Sequence, residues 1–260
     1  MVNTELANIL REEQPTRYKV SVITPTVRKE GLSIVEKALK KQTFRNFEWL
    51  IGSSFDPGIP WAKWIPDKFT GGYWTLNRIY NSLFQHSSGE IIISYQDNIH
   101  ILPDTIERLV EQVERTQGIV SPVGDQFESV NKWGKPQIKV WSDPRRTSNY
   151  GSFYECTFPD IEWNLCALPK QALIDVGGFD EELDFLGFGM DGYQVNERLN
   201  EVGHKFYLDQ SIESFSIAHG REDYGGQSEW DKKNNLNNGN YEKRRSDLKT
   251  SGEWPRLNYL

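Results

Sequence analysis

The stretch GEIIISYQDNIHILP, residues 89–103, decides the fold of this 260-residue chain. Apolar β-forming residues at 91–93 run into the polar triplet Gln96-Asp97-Asn98, and a helical pattern follows. A buried strand that ends abruptly in a carboxylate presents it at the carboxyl edge of a sheet, where open α/β folds bind their ligands. Asp97 is therefore the first candidate for a functional side chain, although Asp and Asn also shape ordinary turns.

The same order of strand, loop and helix precedes this stretch. Residues 19–24, KVSVIT, predict a strand, and residues 32–41 predict the helix after it. Residues 47–51 predict a second strand of the same kind. Repeated units of this type favour a parallel sheet with crossover helices. We expect the exits of three strands to meet at one edge of the sheet: residues 24–28, 53–56 and 96–98.

Alternating helix and strand patterns continue to a closing strand predicted at 204–208. Residues 56–72 indicate a long loop, and residues 124–160 are mostly irregular. SDPRRTSNYGSF within the second region is locally basic and is typical of a solvated surface loop, with a lid or an acceptor-recognition loop as the functional alternative. The tail from residue 216 carries His219 and a mixed-charge helical pattern, which fits a flap, an interface or a frayed end.

Composition narrows the class of protein. A net charge of -7 argues against a nonspecific grip on nucleic acid, which requires a basic face. Cys156 and Cys166 lie in no metal-binding or disulfide pattern, so free thiols are expected. The aromatic content of 13% is high, and flat rings on loops present apolar faces to sugars and bases. No apolar run is long enough to span a bilayer and the start lacks the order of a secretion signal, which predicts a cytoplasmic protein.

Four separated segments together resemble glycosyltransferase family 2, the inverting nucleotide-sugar enzymes of GT-A fold. They are SVITPTVRKEGL, RNFEWLIGSS, NSLFQHSSGEIIISYQDN, and LCALPKQALIDVGGFDEEL followed by GMDGYQVNERLNEVGHK. The resemblance implies a Rossmann-like α/β fold with a mixed, mostly parallel central sheet flanked by helices. It implies one catalytic domain at 1–215, with a nucleotide-sugar-binding half at 18–105 and an acceptor half at 106–215, followed by a tail or flap at 216–260.

The resemblance also implies roles for individual residues. Asp191 is the implied catalytic base, and Asp97 and His219 are the implied metal ligands. Mn²⁺ or Mg²⁺ is the implied cofactor, because hard cations prefer carboxylate and phosphate oxygen. The implied nucleotide-sugar-binding residues are Thr24, Pro25, Thr26, Arg28, Ser53, Asp56, Asn81, Gln96 and Asp97.

Sugar transfer requires that the charge on a leaving diphosphate be neutralised and that a base take the proton of the acceptor hydroxyl. One displacement at the anomeric carbon inverts it, and a single carboxylate such as Asp191 is sufficient. A retaining double displacement would need a nucleophile as well, and the sequence offers no obvious second carboxylate for it. The implied donor is a nucleotide-diphosphate sugar, a UDP-sugar first of all, and the implied acceptor is a glycan, a lipid-linked group or a protein.

The chain departs from the family pattern at three places. The metal-binding triplet keeps one carboxylate, Met190 replaces the first member of the catalytic acidic pair, and Ser53-Ser54 stands where the family has a base-binding Asp. These departures leave a second hypothesis open, a catalytically lapsed module that binds nucleotide or glycan. A phage-type enzyme acting on a hydroxylated DNA base is a further alternative, which fits the acidic balance poorly.

Structural roles also remain open for the candidate residues. Asp191-Gly-Tyr-Gln194 has the spacing of a helix capping box, so Asp191 is also a candidate cap. Asn81 is also expected to pack or to pair with backbone, and residues 24–28 to form no more than a strand exit. A single histidine such as His219 is often an ordinary surface residue.

Overall fold

The computed structural model describes residues 19–67, 75–130, 135–148, 151–185, 190–217 and 239–247. The strands are β1 (Val20–Pro25), β2 (Phe47–Ser53), β3 (Lys63–Pro66), β4 (Ile91–Tyr95), β5 (Ile99–Ile101), β6 (Ile119–Val130), β7 (Pro136–Trp141), β8 (Phe153–Cys156), β9 (Leu165–Pro169) and β10 (Phe206–Ile217). The helices are α1 (Leu32–Leu39), α2 (Leu76–His86), α3 (Thr105–Thr116), α4 (Lys170–Val176) and α5 (Asp191–Glu201). A further helix, α6, comprises residues 239–247. Short 3₁₀ turns lie at Phe158–Asp160 and Glu181–Phe185.

All of these strands join one ten-stranded sheet in the order β3-β2-β1-β4-β9-β6-β10-β5, with β7 beside β6 and β8 beside β10. The first four strands of this order are parallel. β9 is antiparallel to both of its neighbours, and β6 and β10 are again parallel. The predicted α/β class with a mixed, mostly parallel central sheet flanked by helices is therefore confirmed.

Period-two alternation along the strands divides the core into two layers. On one face, Val20, Val22 and the matching residues of β4 pack against α1 and α3. On the other face, Ile23 and Ile92 pack against α2, α4 and α5. The sheet is thus covered on both sides, as a parallel sheet requires.

β4 is the strand predicted from the opening stretch, and it is buried along its whole length. It is paired with β1 on one side and β9 on the other, and the core layers on the two faces of the sheet bury the side chains of Ile91 to Ile93. Each such burial contributes roughly 1.5–3 kcal/mol. The strand therefore fixes the position of the Gln96-Asp97-Asn98 triplet, which follows Tyr95 directly.

The structure differs from the sequence prediction mainly where pairing is non-local. The expected loop at 56–72 contains the edge strand β3, a position that tolerates a proline. The expected closing strand at 204–208 continues as β10 to Ile217, so β10 includes the first two residues of the expected tail, 216 and 217. β5 and β8, which no local pattern predicted, pair with this longer strand.

The tail contributes a helix to the body of the protein. In α6 the Tyr241 hydroxyl donates to Glu197 of α5, and Arg245 forms an ion pair with the same carboxylate. Arg244 pairs with Asp180 in the loop before the second 3₁₀ turn. Among the described residues, the structure contains no helix of the length and apolarity that crossing a membrane demands.

A close approach of β4 to β1 gives a test of this packing. A Cβ on Gly89 would lie 2.4 Å from the backbone nitrogen of Ser21 and 2.5 Å from the carbonyl carbon of Val20. Because these are backbone atoms of a central strand, only a movement of the strand relieves the overlap. We expect Gly89→Ala to lower the free energy of unfolding in urea by about 1–3 kcal/mol.

The matched control is Gly151→Ala, because a Cβ at Gly151 would meet no atom within 4 Å. We expect that control to change the free energy of unfolding by less than about 0.5 kcal/mol. Equal losses for the two variants would contradict the packing described for β1 and β4.

Candidate active site

The candidate residues gather at the carboxyl edge of the four parallel strands. Thr26 and Arg28 follow β1, and Asp97 follows β4, so parallel pairing brings them to the same edge. α2 runs back from this edge, because it ends shortly before β4 begins at the opposite edge. The first turn of α2, which contains Asn77, therefore also lies at the carboxyl edge, where open α/β sheets bind ligands.

Asp97 is held from two sides by the loop after β1. The Arg28 guanidinium binds both of its carboxylate oxygens, with Nε donating to Oδ2 at 3.2 Å and Nη2 pairing with Oδ1. The Thr26 hydroxyl also donates to Oδ2. Asp97 is 3% exposed. Gly31 packs closely against it, because a Cβ on Gly31 would lie 2.5 Å from the carbonyl oxygen of Asp97. The carboxylate is therefore a buried, bidentate partner of a cation, which is a strong and directional arrangement.

This geometry bears on the predicted metal site. Among the residues that the structure describes, no group of three or more His, Cys, Asp or Glu side chains is arranged to hold a metal ion. Both oxygens of Asp97 already have partners. His219 lies outside the described residues, so its predicted role stays a prediction. The described residues alone therefore do not form a complete set of protein ligands for Mn²⁺ or Mg²⁺, and Asp97 is the one predicted ligand among them.

Asp191 lies at the start of α5 and is half-buried. Its Oδ1 accepts a hydrogen bond of 2.9 Å from Nδ2 of Asn77, which is itself 0% exposed. The amide oxygen of Asn77 accepts a 3.3 Å bond from Gln194 in the first turn of α5. A neutral amide therefore fixes the direction of the Asp191 carboxylate, and it does so from a different helix.

The capping alternative for Asp191 does not match this geometry. Met190, in the left-handed region with φ 63°, occupies the cap position of α5, and the helix has no side-chain cap bond. Gln194 uses its side chain on Asn77 rather than on the backbone before the helix. Asp191 is thus the first helical residue, where a carboxylate interacts favourably with the helix dipole.

Asp184 is a site residue that sequence reasoning missed. Its carboxylate accepts bonds of 2.9 Å from the backbone N–H groups of Asn77 and Arg78 and from Nδ2 of Asn77, so it caps α2. Burial raises the pKa of Asp184 to about 6, although these donors oppose the shift. Asp184 is 107 residues from Asn77 in the sequence, so no local sequence pattern predicts this cap.

Trp163 connects the start of α5 to the strand that carries the triplet. A Cβ on Gly192 would lie 2.5 Å from Cδ1 of the Trp163 ring, so only glycine fits there without a shift. The Trp163 carbonyl accepts hydrogen bonds from the hydroxyls of Ser94 in β4 and Tyr80 in α2. The Tyr80 hydroxyl in turn accepts from Nε2 of Gln96 at 3.3 Å. The triplet and the Asp191 helix are therefore parts of one hydrogen-bonded framework.

Three predicted donor-binding residues lie at the strand exits themselves. Thr24 and Pro25 are buried at the end of β1, and the Thr24 hydroxyl accepts a 2.9 Å bond from the Trp49 indole. The Ser53 hydroxyl donates to the carbonyl of Phe55 at 2.6 Å. These contacts shape the strand ends, and the roles of the three residues in donor binding stay predictions.

Asp56 and Asn81 also make internal contacts. Asp56 is exposed and accepts a 2.8 Å bond from the backbone of Gly58, which is an Asx turn. Asn81 is 1% exposed, and its amide exchanges hydrogen bonds of 2.8 and 3.0 Å with the backbone of Phe179. Its geometry matches the structural alternative of pairing with backbone, and a direct contact with a nucleotide stays a prediction.

The Arg28–Asp97 pair can be tested by a double-mutant cycle on stability. Removing one partner leaves the other with an uncompensated charge, so we expect Asp97→Asn and Arg28→Met each to lower the free energy of unfolding by about 1–3 kcal/mol. We expect the double variant to lose less free energy of unfolding than the sum of the two single losses, with a coupling free energy of about 1–2 kcal/mol.

The control cycle uses Glu36 and Lys40, a 2.8 Å pair on the surface of α1. We expect its coupling to be at most about 0.5 kcal/mol. Additive losses for Asp97 and Arg28, measured by urea unfolding, would show that the two side chains do not depend on each other.

Comparison with known proteins supports the fold. No protein-family model and no curated protein matches the chain. Among solved structures, a crystal structure of GalNAc-T7 with UDP, GalNAc and Mn²⁺ is 13% identical, with a TM-score of 0.59 over 80% of this chain and 45% of that one. A crystal structure of TarS from S. aureus is also 13% identical, with a TM-score of 0.59 over 80% of this chain and 38% of that one.

A structure of TarS residues 1–349 gives 15% identity and a TM-score of 0.57 over 77% of this chain and 60% of that one. The chain thus spans less than two thirds of the length of each of these structures. GalNAc-T7 and TarS are both glycosyltransferases of GT-A fold. At this level of identity the likeness concerns the fold alone, and the chain has the GT-A fold that the sequence resemblance implied.

Proposed function

We propose that this chain transfers a sugar from a nucleotide-diphosphate sugar to an acceptor hydroxyl by a single inverting displacement. One observation carries the proposal: the Asp191 carboxylate is held by Asn77 at the carboxyl edge of a GT-A sheet. That edge also carries Thr26, Arg28 and Asp97. The proposal includes the division into a donor half at 18–105 and an acceptor half at 106–215.

Asp191 is the proposed base. The acceptor O–H gives its proton to the carboxylate while the acceptor oxygen bonds to the anomeric carbon, and the bond from that carbon to the diphosphate breaks. The nucleoside diphosphate leaves with the electron pair of the broken bond. Asn77 supports this role because its bond to Oδ1 orients the carboxylate at the start of α5.

Arg28 is the proposed partner of the departing diphosphate. Its side chain is 20% exposed, and Asp97 holds the guanidinium at the strand exit. A guanidinium suits phosphate oxygens because it donates two parallel hydrogen bonds and keeps its charge. Asp97 then acts as a positioning residue. Mn²⁺ or Mg²⁺, which the resemblance implied, would be held by Asp97 and would supply further positive charge to the diphosphate.

The proposed donor is a UDP-sugar. The sequence resemblance supports this choice, and one protein of the same fold was crystallised with UDP, GalNAc and Mn²⁺. Thr26 and Gln96 border the proposed phosphate site, since Thr26 binds Asp97 and Gln96 precedes it. A second candidate function, a binding module without turnover, draws on the complete engagement of Asp97 by Arg28 and Thr26.

The base assignment predicts a separation of binding from turnover. We expect Asp191→Asn to reduce sugar transfer at least about 100-fold, because a general base contributes 10²–10⁴-fold. We expect nucleotide affinity to be unchanged, since the base contacts the acceptor. The measurements are release of nucleotide from the donor during transfer and calorimetric binding of UDP.

The control variant is Glu201→Gln, which neutralises an exposed carboxylate at the far end of the same helix. It should transfer sugar at the rate of the unchanged protein. Undiminished turnover in Asp191→Asn would remove Asp191 from the mechanism, and UDP binding without turnover in the unchanged chain would favour the binding module.

The assignment of Arg28 predicts how nucleotide binding depends on metal. We expect UDP to raise the melting temperature by a similar amount in EDTA and in Mn²⁺, because the guanidinium supplies the positive charge. We expect Arg28→Lys to reduce that shift, since lysine keeps the charge but loses the bidentate geometry. A shift that appears only with Mn²⁺ would contradict this assignment and would show that Asp97 exchanges Arg28 for an ion.

A further inference from the structure

A cavity of about 270 Å³ opens beside the candidate active site, on the side of β6 and β10. β6 and β10 are parallel there, with Gly124 opposite Ser214 and Gln126 opposite Ser216. Alternate residues of a strand face the same side, so these four residues present one polar wall. The side chains that line the cavity include Asn98, Gln126, Trp141, Arg145, Glu162 and Asn164.

The cavity offers amides and hydroxyls rather than an apolar surface. Asn98, Gln126 and Asn164 contribute amides, and Ser214 and Ser216 contribute hydroxyls. Such a lining suits a ligand that carries many hydroxyl groups.

Trp141 adds an apolar wall to this polar lining. It ends β7, lies opposite Gln126 in the β6–β7 pair, and remains 43% exposed. An exposed indole beside amides offers an apolar face next to hydrogen-bonding groups. Sugar rings have C–H faces that pack on an indole while their hydroxyls bind amides. The pairing of Trp141 with Gln126 presents both kinds of contact side by side.

The charges around the cavity disfavour a phosphate-bearing ligand. Arg145 binds Asp143 through Nε at 2.9 Å, donates to the carbonyl of Asp160 at 2.8 Å, and lies 3.5 Å from Glu162. Two carboxylates thus surround this one guanidinium. A phosphate brought here would meet a site whose cation is already neutralised and whose net formal charge is negative.

The loop that appeared basic in the sequence is neutralised in the same way. Arg146 and Lys139 both pair with Asp125, at 3.3 and 2.9 Å. These contacts hold the pKa of the Asp125 carboxyl below its usual value, against the opposing effect of burial. Lys139, Arg145 and Arg146 are thus each paired with a carboxylate, which makes them less available to a phosphate group.

Hydrogen bonds connect the cavity to both ends of the proposed reaction. Asn98 follows Asp97 directly, and the carbonyl of Asn164 accepts a 2.9 Å bond from the backbone of Gln96. Between the cavity residues Glu162 and Asn164, Trp163 turns the other way and donates to Asn196 of α5 at 2.9 Å. One short segment thus forms the cavity wall on one side and supports the Asp191 helix on the other.

We propose that this cavity is the acceptor subsite and that the acceptor is a neutral saccharide, held by the amides and packed on Trp141. The role of the saccharide as acceptor rests on the proposed function, whereas binding of a saccharide in the cavity can be measured without turnover. It selects a glycan from the acceptor classes that the sequence left open, and it assigns the region 124–148 to acceptor recognition.

The first test measures binding to the whole chain without donor. Maltotriose, cellotriose and chitotriose are the neutral probes, and duplex DNA and glucose 6-phosphate are the phosphate-bearing probes, each followed by saturation-transfer NMR. We expect at least one neutral trisaccharide to bind and Trp141→Ala to weaken that binding about tenfold, as for loss of a central aromatic contact. The matched control is Val140→Ala, which removes an exposed apolar side chain from the adjacent position of β7 that does not line the cavity.

The second test measures turnover with the sugar that binds. We expect Trp141→Ala to raise the KM for that acceptor about tenfold, with kcat, the KM for the donor and release of nucleotide to water unchanged. Sugar binding that depends on Trp141 in a chain without turnover would remove the proposed function and retain the cavity assignment. Binding of none of the neutral probes, preference for a phosphate-bearing probe, or equal effects of Trp141→Ala and Val140→Ala would overturn the inference.

Discussion

The hydrogen bonds of Asn77 hold together the part of the molecule on which the proposed chemistry depends. This single buried amide binds Asp184, Asp191 and Gln194, which come from the second 3₁₀ turn and from α5. Without it, the two carboxylates would lose a shared donor, and the Gln194 amide group would lose an acceptor. Asp184 would keep its two backbone donors, whereas Gln194 is 1% exposed, and a buried polar group left without its partner costs about 1–3 kcal/mol. The position of Asp191 therefore depends on a contact between α5 and α2, whose residues Asp191 and Asn77 are 114 positions apart in the sequence.

Asp97 and Asp191, the two proposed functional carboxylates at the carboxyl edge of the sheet, have different surroundings. Asp97 is buried against a guanidinium and a hydroxyl, so its charge is balanced and its oxygens are engaged. Asp191 is half-buried, and its Oδ1 accepts from a neutral amide at a helix start. The oxygens of Asp97 are used to hold the guanidinium of Arg28, whereas the bond from Asn77 orients the carboxylate of Asp191 at the start of α5. These contacts support the assignment of proton transfer to Asp191 and of electrostatic support to the loop after β1.

The sequence was sufficient for features that depend on local pattern and insufficient for those that depend on distant pairing. Alternation and apolar runs predicted β1, β2 and β4, and parallel order predicted that Thr26 and Asp97 would share an edge. The Asp184 cap, the Arg28–Asp97 pair and the strands β5 and β8 arise from contacts between segments that lie far apart in the chain. The resemblance implies nucleotide binding for Arg28, but no local pattern predicts that Arg28 also binds Asp97. Asn81 pairs with the backbone of Phe179, which is 98 residues away, and its contact with a nucleotide stays a prediction.

The two sides of the proposed site are linked through the segment at 162–165 rather than through a shared loop. Alternating side chains of this segment face the cavity and the Asp191 helix in turn, and its backbone binds Gln96. This turn has little freedom, because the Trp163 ring packs against Gly192 and the Trp163 carbonyl is bound by Ser94 and Tyr80. A sugar seated among Asn98, Asn164 and Trp141 would therefore be positioned by the same framework that fixes the base. Preorganisation of this kind is how a site gains rate, because the reacting groups need not be ordered when the acceptor arrives.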